Sequence, residues 1–257
     1  MRLLILGSGT SFGVPVVGCG CVVCTSPDPR DTRTRTAAII ELDGGDRILI
    51  DSPPDLRMQL LRERIDHVDA VLYTHEHADH VHGIDDLRAL SVRQGELPVY
   101  AGQHTADRLR VRFDYIFDPA VQPPPGTSKP RLLLHVVEPY QALPLAGATI
   151  LPVQVDHGGT PVLGYRVGRM AYLTDAKRLP PATIDALRGI EVLVLNALFD
   201  APHPTHLSIN EATALAQEIG ARQTFLTHLT HHHAHQALAE RLPDGIAPAF
   251  DGLSVEL

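Results

Sequence analysis

Positive charge is scarce in this sequence: Lys and Arg number 22 against 30 Asp and Glu, a formal net charge of -8 at pH 7. Non-specific nucleic-acid binding needs a field of Lys and Arg to displace condensed counterions, so general affinity of that kind is disfavoured, although a specific nucleic-acid substrate is not. Long apolar runs are missing too. The opening Met1-Arg2-Leu3-Leu4-Ile5-Leu6-Gly7 has neither the apolar core nor the small-residue cleavage site of a signal peptide, and no later run approaches the length of a membrane span. A cytoplasmic protein with no membrane association is expected. Cysteine is confined to Cys19, Cys21 and Cys24, an odd number packed too tightly for a disulfide framework and better suited to one soft metal ion. Tryptophan is absent and tyrosine and phenylalanine number six each, whereas histidine numbers fifteen. Histidine is the commonest metal-ligating side chain, so the surplus directs attention to metal chemistry.

The remaining composition, 44% hydrophobic and 20% charged, is that of an ordinary globular protein and excludes a disordered or fibrous one. A chain of 257 residues can bury a full core, and a single domain over 1–257 is expected. Short β-rich runs at Arg2–Leu6, Ala37–Leu42, Arg47–Asp51 and Ala70–Thr74 alternate with amphipathic stretches at Leu56–Arg64 and Asp85–Ser91. The second half repeats the theme, with strands expected near Thr149–Val155, Gly164–Val167, Ala171–Thr174, Val192–Asn196 and Thr224–Thr227. Helices are expected at Pro181–Arg188, Asn210–Ile219 and Ala234–Arg241, the middle one capped by Ser208 with Glu211 three residues on. Two β-rich halves with helices outside suggest an α/β fold of four layers, αββα. Asp118 to Arg131 carries five prolines and reads as an extended arm, with an active-site lid, a dimer arm and a stiff surface connector as alternatives. The glycine-rich Gly7-Ser8-Gly9-Thr10-Ser11-Phe12-Gly13 follows a strand, yet its spacing is wrong for a dinucleotide-binding turn, and it reads as a tight loop bordering a metal site.

The segment Thr74-His75-Glu76-His77-Ala78-Asp79-His80 puts four metal-binding side chains into six residues directly after the apolar run Val68 to Leu72. A strand end leading into a loop can aim alternate side chains at one ion, and the turn opening the next helix can aim the last two at a second ion nearby. A catalytic zinc-type site takes about three protein ligands, so more must come from downstream. His157, Asp175 and His228 each follow an apolar run and are the candidates. A His-x-His-x-Asp-His segment followed by separate His, Asp and His residues resembles the metallo-β-lactamase superfamily. The resemblance spans nearly the whole chain. It implies the αββα sandwich, with His75, His77 and His157 on one metal, Asp79, His80 and His228 on the other, and Asp175 bridging them. His67, His104, His135 and His203 lack such context and read as solvent-facing or hydrogen-bonded bystanders, and His82 lies near the motif without being expected as a ligand.

The cysteines offer three thiolates where structural zinc wants four ligands, and the run Thr230-His231-His232-His233-Ala234-His235 offers imidazoles. Here the chain resembles the PhnP-like phosphodiesterase group, whose Leu-Thr-His-x-x-His pattern supplies an active-site histidine and, three positions on, the last ligand of a structural zinc. That implies His228 in the active site and a structural zinc on Cys19, Cys21, Cys24 and His231. The proline-rich arm and Gly83-Ile84-Asp85-Asp86-Leu87-Arg88 accord with this broader group. Phosphodiesterase members also carry a histidine at the helix entrance matched by Ala201-Pro202-His203-Pro204-Thr205-His206-Leu207-Ser208, which implies His206 as an acid or phosphate ligand. The expectation is a metal-dependent hydrolase of a small or cyclic phosphodiester. Two divalent ions, zinc or manganese, would share a water and lower its pKa from about 15.7 toward about 7. Asp79, Asp175 and His206 are then the catalytic candidates. A thioester or lactam hydrolase of the same fold is the alternative. A dioxygenase with one iron is the alternative from another class, though it would need only two histidines and a carboxylate. A homodimer is compatible with the sequence.

Overall fold

The computed structural model describes residues 1–257. Its first half runs β1 (Arg2–Gly7), β2 (Ala37–Glu41), β3 (Arg47–Ile50), α1 (Leu56–Arg62), β4 (Ala70–Leu72), α2 (Ala78–Val81), α3 (Arg88–Gln94), β5 (Leu97–Ala101), α4 (Gln103–Arg112), α5 (Asp114–Phe117) and β6 (Leu132–Val136). The second half runs β7 (Leu143–Leu145), β8 (Ala148–His157), β9 (Thr160–Val167), β10 (Met170–Leu173), α6 (Pro181–Ala186), β11 (Val192–Asn196), α7 (Ile209–Ile219), β12 (Gln223–Thr227), α8 (His235–Ala239), β13 (Ile246–Pro248) and β14 (Ser254–Glu256).

These strands form two seven-stranded sheets, ordered β14-β1-β2-β3-β4-β5-β6 and β13-β12-β11-β10-β9-β8-β7. Within each, the run adjoining the site is parallel, β3 to β6 in one and β10 to β13 in the other. Parallel strands covered on both faces need apolar residues throughout, and β4 (Ala-Val-Leu) and β11 (Val-Leu-Val-Leu-Asn) are buried at every position. Three apolar clusters account for the layering. Leu3, Ile5, Ile40 and Ile48 meet Tyr165, Tyr172, Val192 and Val194 between the sheets. Leu56, Leu90 and Leu109 cover the first sheet from its helices, and Leu187, Ile209, Ala212 and Leu238 cover the second. The chain is therefore an αββα sandwich.

Several boundaries differ from the sequence expectation. The stretch Asp85–Ser91 is not one helix: residues Ile84–Leu87 form a 3₁₀ turn that leads into α3. Gly83 precedes it where a Cβ would lie 2.0 Å from the Pro53 carbonyl oxygen, so the two segments pack backbone to backbone. The halves of the sequence do not map one to a sheet, because β14 returns to pair antiparallel with β1. Residues 118–131 contain no strand or helix, and Lys129 Nζ donates to the Asp118 and Val121 carbonyls (3.2 and 2.7 Å), folding the segment back on itself. No helix is long and apolar enough to cross a membrane.

Candidate metal centre

Five segments bring their C-terminal ends to one place: β3 leads to Asp51, β4 to His75 and His77, β8 ends at His157, β10 leads to Asp175 and β12 to His228. Placement at the carboxyl ends of strands follows the general rule for layered α/β folds. Asp79 and His80 arrive on α2, one turn beyond. Three of these residues have left-handed backbone although none is glycine: Asp51 (φ 62°), Asp175 (φ 54°) and His228 (φ 58°). Such conformations cost about 1–3 kcal/mol each and persist where surrounding structure over-determines them. Here each turns the chain sharply at a strand end and aims a side chain at the cluster.

Two sets of ligand atoms each gather within 4.8 Å: His75, His77 and His157, and Asp79, His80 and His228. Asp175 reaches both, its carboxylate lying 4.0 Å from His75 Nε2, 3.9 Å from His157 Nε2, 3.3 Å from His80 Nε2 and 3.5 Å from His228 Nε2. The Nε2 atoms of His75, His80 and His228 are buried and make no hydrogen bond. Buried polar atoms seldom go without a partner, and converging imidazole nitrogens around carboxylates are the donor set that divalent ions take. The residues therefore fit two metal ions.

Neighbouring groups orient the imidazoles. His80 Nδ1 donates to Asp51 Oδ2 at 2.7 Å and His157 Nδ1 donates to the Thr205 carbonyl at 2.7 Å, which leaves each Nε2 facing the cluster. Asp51 also accepts from the Thr74 backbone N–H and hydroxyl, both at 2.8 Å. It was absent from the residues singled out by sequence, where the only signal was an aspartate closing the apolar strand Arg47–Asp51. Burial disfavours the charged imidazole and lowers His75, His77 and His157, in the direction ligation favours, and it lowers His206 as well; at His80 burial is outweighed by Asp175, Asp79 and Asp51, which raise it. Burial opposes ionisation of Asp79 and Asp175, yet His80 and His228 outweigh it and hold both carboxyls below the usual range.

A cavity of about 580 Å³ opens onto this cluster and is lined by His77, Asp79, Asp175 and His206 among others. His206 Nε2 lies 3.0 Å from Asp175 Oδ1, and its ring stacks on His228 at 4.9 Å. His203, expected as a solvent-facing or hydrogen-bonded bystander, is hydrogen-bonded and lines the same cavity, its Nδ1 3.3 Å from His206 Nδ1. Its proximity comes from the turn at Pro204, which folds two residues of one loop together, and a sequence read for strand ends gives no sign of it. His67, His104 and His135 stand apart, against Asp66, Glu76 and Tyr100, and His82 packs edge-on to Phe113.

Cys19, Cys21 and Cys24 converge on His231, with Sγ atoms 3.3, 3.4 and 3.4 Å from its Nδ1. The Cys24 backbone N–H draws the Cys21 thiol down to about 6, while burial pushes Cys24 up to about 11. Three sulfurs and one imidazole at the corners of a closed site fit a structural zinc, not a catalytic ion that needs an open position.

The family model of a beta-lactamase superfamily domain matches residues 46–229. A Porphyromonas gingivalis protein named octanoyltransferase is 46% identical over 255 residues, 98% of this chain and 51% of that protein, so the chain spans about half its length. Among solved structures, a diphosphatase from the PhnP family aligns over 100% of this chain and 97% of its own, at 42% identity and a TM-score of 0.91. Zn(2+)-bound PqqB from Methylobacterium extorquens, 18% identical, covers 100% of both chains at a TM-score of 0.82 and shares the fold.

Proposed function

The chain belongs to the beta-lactamase superfamily, and from that premise we propose that it is a metal-dependent phosphodiesterase acting on a small or cyclic diester. The observation that carries this reading is His206, an imidazole 3.0 Å from the carboxylate that reaches both ligand sets, inside the cavity where a substrate would sit. Two-ion hydrolases of other classes share the ligand sets. What phosphodiester cleavage adds is a need to hold phosphate oxygens and to protonate a poor alkoxide leaving group.

In this reading His75, His77 and His157 would hold one ion and Asp79, His80 and His228 the other, with the Asp175 carboxylate within reach of both sets. Ions held there would supply Lewis acidity, favouring ionisation of a water at neutral pH and offsetting phosphate charge. Zinc suits the imidazoles, and manganese is compatible with the carboxylates. The chain's own contribution is positional. The Thr205 carbonyl fixes His157, and the adjacent residue is His206, so one short loop sets both a ligand and the candidate acid. Asp175 accepts from His206 Nε2 and orients that ring, which in its protonated form would donate to the departing oxygen.

The likeness to a PhnP-family diphosphatase supports phosphoryl chemistry, since anhydride and diester cleavage both break a P–O bond under charge neutralisation. The octanoyltransferase relative raises acyl transfer as the competing class, so an octanoyl thioester belongs in the substrate panel. Cysteines gathered as a metal-type cluster and not as a disulfide accord with a cytoplasmic setting.

The test is a pair of diesters, one with an alkyl and one with a nitrophenolate leaving group. His206→Ala is expected to keep its metals and to lose about a hundredfold or more on the alkyl diester, with a much smaller loss on the nitrophenyl one, which departs without protonation. Equal losses on both would assign His206 to phosphate binding alone. Faster turnover of the thioester than of any phosphodiester would overturn the reading.

A further inference from the structure

The cavity over the metal ligands is lined by Phe12, Val16, Leu198 and Phe199, and by no lysine or arginine. The cations near it are already taken. Arg35, whose Nε donates to the Ser11 carbonyl, is paired with Asp55 at 3.0 Å, and Lys177 is paired with Glu211 at 2.8 Å. An anionic group beyond the reach of the metal ligands and His206 would therefore lose hydration and meet only the imidazoles of His203 and His232, with no permanent countercharge, which is costly in a partly enclosed site.

The apolar side is built to hold its shape. Phe12 is 71% exposed, which is unusual for a large apolar side chain that serves only the core. Its turn is nevertheless tied down: Gly9 N–H donates to the Thr34 carbonyl at 2.8 Å, Thr10 N–H to Leu229 at 3.2 Å and Gly13 N–H to Thr10 at 2.8 Å. Gly13 takes φ 65°, which closes that turn. Phe199 is fixed from both chain directions, by Leu198 N–H donating to Leu207 (2.9 Å) and Ile209 N–H donating to Phe199 (3.0 Å). Its ring is flanked by His203, edge-on at 5.8 Å, and by His232, tilted at 5.1 Å. The flanked ring of Phe199 and the ordered turn that carries Phe12 give this cavity an aromatic surface for a flat apolar group, on backbone that is already fixed.

We propose that the substrate is a phosphoryl ester with one flat, uncharged, largely apolar substituent that packs against Phe12 and Phe199, and with no further anionic group outside the metal ligands' reach. The proposal rests on the phosphodiesterase reading and names its substrate class. Polynucleotides and substrates with additional remote phosphates are excluded by it.

Three nitrophenyl diesters of the metal-loaded protein test it, because the leaving group is constant while the retained group is methyl, phenyl or 4-carboxyphenyl. The expected kcat/KM is about tenfold higher for phenyl than for methyl, the size of an aromatic contact, and falls again for 4-carboxyphenyl. Phe199→Ala is expected to shrink the phenyl-to-methyl ratio toward one, and Phe12→Ala is a second variant on an exposed residue should the first fail to fold. A ratio near one in the unmutated protein, or a preference for 4-carboxyphenyl, would overturn the proposal. Calorimetric binding of methyl phenylphosphonate against methyl methylphosphonate separates the two questions. If no diester is turned over, the phosphodiesterase reading falls, while tighter binding of the phenyl compound still supports the pocket preference and equal binding overturns it.

Discussion

Asp51 shows how much of the candidate metal centre lies one residue behind the side chains that face it. Its carboxylate takes the His80 Nδ1 proton and two donors from Thr74, so it sets both the ring orientation of a ligand and the path of the loop that carries His75 and His77. Asp51→Asn keeps the shape and removes the charge. Metal affinity is expected to fall about 10–100-fold, read by competition with a chromophoric chelator, and an unchanged affinity would remove Asp51 from that role. Asp175 is the residue on which both ligand sets converge. Metal analysis of the unmutated protein is expected to find close to three ions per chain, and Asp175→Ala to lower the two at the active site while sparing the one at the cysteines. Undiminished metal in that variant would take away its bridging place. The candidate ligands were legible because His75, His157, Asp175 and His228 follow apolar runs while His77, Asp79 and His80 share one dense motif, signals in the one-dimensional pattern. Asp51 and His203 were not, since one is a carboxylate among thirty acidic residues and the other is brought in by a turn.

At the scale of single elements, the best-specified is α7. Ser208 accepts from the Glu211 N–H while Glu211 accepts from the Ser208 N–H, and Gly220 closes the helix in left-handed conformation. This reciprocal cap was readable as Ser-x-x-Glu before an apolar run. His206 stands two residues before it, so the cap also fixes where the candidate acid enters. Ser208→Ala is expected to cost about 1 kcal/mol, lowering Tm by roughly 2–4 °C for a chain of this size. A thermal shift of zero would mean the cap contributes nothing. Elsewhere local signals were weaker. The run Ile84 to Gln94 spaces its apolar residues as a helix does, yet it opens as a tighter 3₁₀ turn directly behind Gly83, which is seated against Pro53, before α3 begins. Short edge strands such as β7 and β13 have three residues each, too few for a period of two to declare itself.

Across the whole molecule, two distant segments are locked into one corner. Arg33, with no exposed side chain, donates to the Thr230 and His233 carbonyls and pairs with Asp31 at 3.2 Å, while His231 closes the cysteine cluster. The loop that carries His228 is thereby held from both sides. Cys21→Ser is expected to lose one zinc and to lower Tm by more than Ser208→Ala does, with the chemistry of the folded fraction retained. Unchanged Tm and metal content would show the cluster to be three idle thiols. The sequence by itself determined the layer architecture, most strand positions, the capped helix and the residues that gather at the candidate metal centre, because periodicity, capping and strand-end placement are local properties written along the chain. Only the tertiary structure decided that Asp175 reaches both ligand sets, that Asp51 and Thr205 aim the imidazoles, that β14 returns to the first sheet, and that Phe12 and Phe199 line one cavity. Each of these joins residues far apart in the chain, and their distances are set by how the two sheets pack, which no local pattern encodes.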